Sequence, residues 1–222
     1  MLTSMRQAIA RHMAYSKQNI PHYYLTMRAE MSAALNRREE WNAGRTKEDT
    51  VSINDLVVKA TVLALREHAE FNAYFQDNAI QRQERLNIGI AIALPDGLLA
   101  PALLDCQRLS LAELAVGSRA LAARAREGRL KAEEYTAATF TITNLGMYHV
   151  ESFTAIIVPP QVAILAVGAI ETRPALQNSD LITEHRMALT LSADHRATDG
   201  VEGARFLGEI ITNLQDPEKL FD

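Results

Sequence analysis

The sequence predicts a mixed α/β domain in two layers, a mixed sheet with helices on one face. Three observations point there: helical and strand patterns alternate along the chain, strand patterns crowd its last third, and one helix is apolar on nearly every face. With 222 residues, 48% of them hydrophobic and 23% charged, the chain has enough apolar side chain for a sizeable core. Gly 10 and Pro 7 are too few for a low-complexity linker.

Taken in order, Ser4 to Lys17 spaces its apolar residues like a helical face, and His22 to Met27 reads as a strand after the Pro21 break. A polar helix is expected from about Met31 to Asn42, then a charged loop from Gly44 to Asp49. Ser52 with Asp55 forms a capping-box signature opening Ile53 to Glu67, whose all-round apolarity predicts burial. Leu86 to Leu94 is an apolar strand, and Pro95-Asp96-Gly97 is a turn feeding Leu98 to Leu104. Ser110 with Glu113 opens a long helix that Gly128 stops. Thr139 to Asn144, Val162 to Val167 and Met187 to Ser192 are three further strands, and a last helix runs from about Gly200 to Leu214.

Composition excludes several classes of function. A formal net charge of −4 offers no electrostatic footprint for nucleic acid. The most apolar stretch, Ala155 to Ile170, is interrupted by Pro159, Pro160 and Gln161 and is too short to span a bilayer. Met1 to Ala14 lacks the continuous apolar segment of a signal peptide. One cysteine, Cys106, allows no internal disulfide and fits a reducing compartment, so the expected location is the cytoplasm, or the mitochondrial matrix in a eukaryote. His12, His22, His68, His149 and His185 have no zinc-ligand spacing, and no metal is expected.

Two motifs could carry chemistry. Asp194-His195-Arg196-Ala197-Thr198-Asp199-Gly200 sits where an apolar strand gives way to a helix. An imidazole there can accept a proton at physiological pH, because histidine titrates at about 6.5. Asp199 could hold the loop or orient the ring. An isolated histidine at a strand end is more often structural than catalytic. Thr139 to Gly146 is an alternating strand running into a glycine, with the Thr143 hydroxyl at its end. That hydroxyl could donate to a developing oxyanion, although threonine is simply common in strands.

Together with Met5 to Ala10, Pro21 to Leu25, Asn54 to Ala60, Asn87 to Ala91, Pro95 to Leu98 and Pro159 to Leu165, these motifs make the chain resemble a known family over almost its whole length. That family is the catalytic domain of dihydrolipoamide acyltransferases, the core component of 2-oxo acid dehydrogenase complexes. The resemblance implies a chloramphenicol acetyltransferase-like fold and one catalytic domain over residues 1–222, with no lipoyl or subunit-binding domain. It implies a homotrimer with active sites between subunits, and a cubic or dodecahedral shell serving a lipoyl domain and the dehydrogenase components. The reaction would move an acyl group, acetyl by preference, between dihydrolipoyl-lysine and coenzyme A. His195 would be the general base, Asp199 its loop partner and Thr143 the oxyanion donor. Arg38, Ser52, Asn144 and Gly168 would contact coenzyme A. The tail, with Leu220 and Phe221, would pack into a neighbouring trimer.

The chain departs from the family at Thr143, where serine is more usual, and at Ala137-Ala138, where a Gly-Gly pair is. Val58-Lys59-Ala60 has the Lys-Ala of a lipoylation site but lies inside a helical pattern rather than at a hairpin tip. Two rivals stand beside the main reading: an antibiotic O-acetyltransferase of the same fold, and a scaffold subunit without catalysis.

Overall fold

The computed structural model describes residues 3–95, 97–177 and 180–221. Asp96 of the expected turn and Asp222 of the tail therefore lie outside the described residues. The chain opens with α1 (Ser4–Asn19), β1 (His22–Glu30), α2 (Ser32–Asn42) and α3 (Ile53–Glu67). A small hairpin of β2 (Ala73–Gln76) and β3 (Ala79–Arg82) follows, then the short strands β4 (Ile88–Ile90), β5 (Ile92–Leu94), β6 (Gly97–Leu99) and β7 (Ala102–Leu103). Next come α4 (Leu111–Arg126), α5 (Ala132–Thr136), β8 (Phe140–Asn144), β9 (Ala163–Gln177) and β10 (Asp180–Asp194). The chain closes with α6 (Gly200–Gln215) and α7 (Glu218–Phe221).

Six strands form the main sheet in the order β1-β10-β9-β8-β4-β7. The β8 strand is parallel to both β9 and β4, and the other pairs are antiparallel, so the sheet is mixed as expected. Its helical face builds the main core. Phe206 of α6 stacks on Phe71 at 4.4 Å and meets Phe140 of β8 edge-on at 5.7 Å. Leu56, Val57, Ala60 and Leu65 of α3 are buried in the same core. The opposite face carries a smaller cluster, Ile20, Ala155, Ile157, Ile164 and Ala166.

The capping signatures form as the sequence predicts. The Ser52 hydroxyl accepts from the Asp55 N–H at 3.2 Å while the Asp55 carboxylate accepts from the Ser52 N–H at 2.8 Å. Ser110 and Glu113 do the same for α4. Each box satisfies donors that a helix start leaves unpaired.

Three expectations need correction. The apolar run from Leu86 to Leu94 is two strands: β4 joins the main sheet, and β5 leaves it to pair with β6. β9 and β10 continue far beyond the apolar stretches that announced them, because their outer halves pair with each other as a hairpin outside the core, with Leu176 and Leu181 exposed. The tail folds back onto its own subunit. Leu220 is fully buried in its own chain, and Phe221 packs against Trp41 at 5.3 Å and beneath the Arg37 guanidinium at 4.8 Å. An aromatic surface on α2 thus covers the apolar end that was expected to seek a neighbour.

Candidate active site

β10 delivers its last residue, Asp194, to the sheet end beside the start of β1, where His22 pairs with Asp194. The turn that follows is held at many points. The Ala197 and Thr198 N–H groups donate to the Asp194 carbonyl at 3.0 and 3.1 Å, and the His195 N–H donates to the Pro21 carbonyl at 3.0 Å. The Asp194 carboxylate is fully buried and grips Arg196, whose Nε and Nη2 donate to it at 3.0 and 2.7 Å. The Arg196 guanidinium also lies 4.1 Å over the Phe75 ring. This ion pair fixes the backbone on both sides of His195, whose own side chain is exposed.

Asp199 caps α6. Its carboxylate accepts from the Val201 and Glu202 N–H groups at 2.8 and 2.9 Å, and Glu202 returns a bond to the Asp199 N–H. The Glu202 N–H foremost holds the Asp199 carboxyl below the usual carboxylate range; slight desolvation opposes it, and the Val201 N–H and the charge of His195 assist. Among the described residues no hydrogen bond joins Asp199 to His195. The hydrogen bonds of Asp199 hold the loop and the start of α6.

Thr143 lies elsewhere. In β8, Phe140 and Ile142 enter the main core, so Thr141 and Thr143 face the other way. Thr143 pairs with Ala166 of β9, which pairs with Thr190 of β10, and the Thr190 and Thr26 hydroxyls meet at 2.9 Å. Asp194 is four residues beyond Thr190 on β10. Four residues along and two strands across correspond to about 16 Å at standard strand spacings. One chain therefore does not bring His195 and Thr143 to a common carbonyl.

The residues expected at coenzyme A gather at the Thr143 end. The half-buried Arg38 donates from Nε to the Val51 carbonyl at 2.9 Å, next to Ser52 at the α3 N-terminus. Asn144 follows Thr143 and donates to Asn54, in the first turn of α3, at 3.3 Å. The Asn144 side chain also accepts from the Gly146 N–H at 2.8 Å. Gly168 is buried on β9, one residue beyond the partner of Asn144. A Cβ on Gly168 would stand 1.9 Å from the Glu151 carbonyl oxygen, so only glycine admits this backbone approach. Arg38, Ser52, Thr143, Asn144 and Gly168 thus share one end of the molecule, and His195 with Asp199 holds the other.

The remaining candidates are structural. Cys106 is buried, its thiol pushed up to about 12 by desolvation, and it donates to the Leu103 carbonyl. Lys59 lies within α3, donates to the Leu109 carbonyl at 3.0 Å and has its ammonium pKa lowered by burial. Sequence reasoning missed Asn54, Tyr23 and the Asp194–Arg196 pair as parts of the site. Their motifs were visible, but the partners they meet come from other strands and helices.

Comparison with known proteins identifies the family. The family model for the 2-oxoacid dehydrogenases acyltransferase catalytic domain matches residues 1–222. A dihydrolipoyllysine-residue acetyltransferase component of the mitochondrial pyruvate dehydrogenase complex of Schizosaccharomyces pombe is 41% identical over 97% of this chain and 45% of its own length. Its Rhizobium meliloti counterpart is 35% identical over 96% of this chain and 49% of its own. The chain spans about half the length of these curated relatives. Among solved structures, dihydrolipoamide acetyltransferase of Azotobacter vinelandii superimposes with a TM-score of 0.92 at 29% identity, covering 99% of this chain and 92% of that one. A serine, a histidine and an asparagine are named for roles in the catalytic mechanism of that Azotobacter protein. A chloramphenicol acetyltransferase shares the fold, with a TM-score of 0.57 at 12% identity over 92% of this chain and 94% of its own. The chain belongs to the family of 2-oxoacid dehydrogenase acyltransferase catalytic domains.

Proposed function

We propose that this chain transfers an acyl group, acetyl by preference, between dihydrolipoyl-lysine and coenzyme A at the core of a 2-oxo acid dehydrogenase complex. One observation carries the reading. The serine and histidine named for the Azotobacter protein are separated along its chain as Thr143 and His195 are here, and its asparagine follows the histidine as Asp199 does. Thr143 keeps the serine's hydroxyl, and Asp199 offers a side-chain oxygen where that protein has an asparagine.

Chemistry follows from those roles. A thiol with a pKa of about 8.5 is mostly protonated at neutral pH, and its thiolate is the nucleophile. His195 removes the thiol proton as sulfur attacks the acyl carbonyl. The Thr143 hydroxyl donates to the oxyanion of the tetrahedral intermediate. His195 then returns the proton to the leaving thiolate, and no acyl-enzyme forms. On the substrate side, Arg38, Ser52, Asn144 and Gly168 would hold coenzyme A. The Arg38 guanidinium suits phosphate there.

Because His195 and Thr143 stand at opposite ends of one chain, the reading requires a second copy, arranged as a homotrimer with three composite sites. The lipoyl group would come from a separate domain, with the dehydrogenase components beyond it. A cubic or dodecahedral shell would have to use surfaces other than Leu220, which its own subunit buries. The decisive assay offers acetyl-, succinyl- and isobutyryl-CoA with dihydrolipoamide. Acetyl-CoA should turn over fastest. Acylation of chloramphenicol in place of dihydrolipoamide would favour the antibiotic enzyme, and no turnover at all would favour a scaffold.

A further inference from the structure

We infer that Tyr23 is the positioning residue for His195, and that Gly203 of α6 is what lets it reach. The inference rests on His195 acting as the base.

β1 pairs with β10 so that Tyr23 stands opposite Ala193, two residues before His195. The Tyr23 ring meets the imidazole edge-on, with centroids 5.0 Å apart and planes at 63°. Its hydroxyl reaches the loop that follows His195. There it donates to the Asp199 carbonyl at 2.7 Å and shares a hydrogen bond with the Thr198 hydroxyl at 3.0 Å. One side chain therefore touches the imidazole and ties residues 198 and 199 to the adjacent strand. Asp199 makes no hydrogen bond to the ring among the described residues; its Oδ1 accepts from the first-turn N–H groups of α6. Arg196 turns away to Asp194 and Phe75. Among the described residues, Tyr23 is the aromatic in contact with the His195 ring.

The helix makes room for this contact. A Cβ on the buried Gly203 would lie 2.7 Å from the Tyr23 hydroxyl oxygen and 3.0 Å from its Cε2. It would also lie 2.9 Å from Leu25 Cδ1. Glycine inside a helix is unfavourable for the helix itself, so its presence under Tyr23 has a packing reason. Burial raises the phenol pKa, opposed by the Thr198 hydrogen bond, so the hydroxyl stays protonated and able to donate at neutral pH. A general base must be held at its proton-transfer geometry, and displacement by about 1 Å can cost about 10²-fold.

The test uses the assembled full chain with acetyl-CoA and dihydrolipoamide. Tyr23→Phe keeps the ring and deletes the hydroxyl. It should lower kcat by about 10-fold or more while KM for acetyl-CoA and the thermal midpoint stay near wild type. The His195 ring resonance, assigned by its loss in His195→Ala, should shift or broaden in Tyr23→Phe and stay put in the exposed control Tyr148→Phe. Gly203→Ala should reproduce the kcat loss from the helix side, and the two changes together should cost less than the product of their separate factors. Wild-type kcat and an unmoved His195 resonance in Tyr23→Phe, with His195→Ala inactive, would overturn the Tyr23 role and leave the base in place. A kcat loss that tracks a fallen thermal midpoint, with independent effects of the two changes, would also overturn it. Full activity in His195→Ala would instead remove the base and with it the premise.

Discussion

The two ends of the central sheet are built in different ways. At the end of β10, His195 sits on a tight turn whose shape comes from side chains: the Asp194–Arg196 pair, the Asp199 cap and the Tyr23 hydroxyl. At the end of β8, Thr143 and Asn144 are held by the backbone ladder to β9 and by one amide contact to α3. A base must present one ring nitrogen to a moving proton, so its support needs side-chain precision. An oxyanion donor and a binding surface need a rigid frame and open space, which a strand end and a helix start provide. On the proposed function each end carries one half of a site, the half that its local structure can hold, and a second copy would complete it.

The largest expected effect tests the base end. His195→Ala should lower kcat by about 10²- to 10⁴-fold with coenzyme A binding little changed, read by steady-state kinetics and calorimetry. Near-normal turnover would make the turn a purely structural one. At the other end, Thr143→Ala should reduce kcat by about 10²-fold or more, while Thr143→Ser retains the donor and stays close to wild type. Equal behaviour of the two variants would move the oxyanion donor elsewhere. A change at neither end sharpens the contrast. Leu220→Ala should cost about 2–5 kcal/mol of stability in denaturant unfolding, since the side chain is fully buried in its own chain, yet leave kcat unaltered where the protein is folded. A stability loss seen only in a larger particle would return the tail to a neighbouring subunit. The smallest effect belongs to the binding surface. Arg38→Ala should raise KM for coenzyme A about 10-fold with little change in kcat, as a lost charge-assisted contact does. A fall in kcat alone would detach Arg38 from substrate binding.

Much of this was legible in the sequence because it depends on local patterns. The Ser52–Asp55 box fixed the start of α3, and the His195 turn announced itself as polar residues between an apolar strand and a helix. What stayed hidden depends on pairing between distant segments. Tyr23 was visible as a strand residue, but only the β1–β10 register aims it at His195. The separation of His195 from Thr143 is likewise invisible until the strand order places β9 between them. The outer halves of β9 and β10 scatter apolar residues such as Leu176 and Leu181 among charged ones outside the core, so no continuous apolar strand announces them. The self-covering tail could not be read because Trp41 and Arg37, which receive Phe221, lie on an otherwise polar helix.

The central claim, that two copies share each site, is tested most directly by mixing chains. His195→Ala and Thr143→Ala subunits are each expected to be nearly inactive alone. Co-refolded in equal amounts, they should regain roughly a quarter of wild-type turnover, because random pairing around a cyclic ring joins an intact His195 to an intact Thr143 at that frequency. No recovery, with mixed assemblies demonstrated by mass, would contradict the account and place both groups of a working site within one chain.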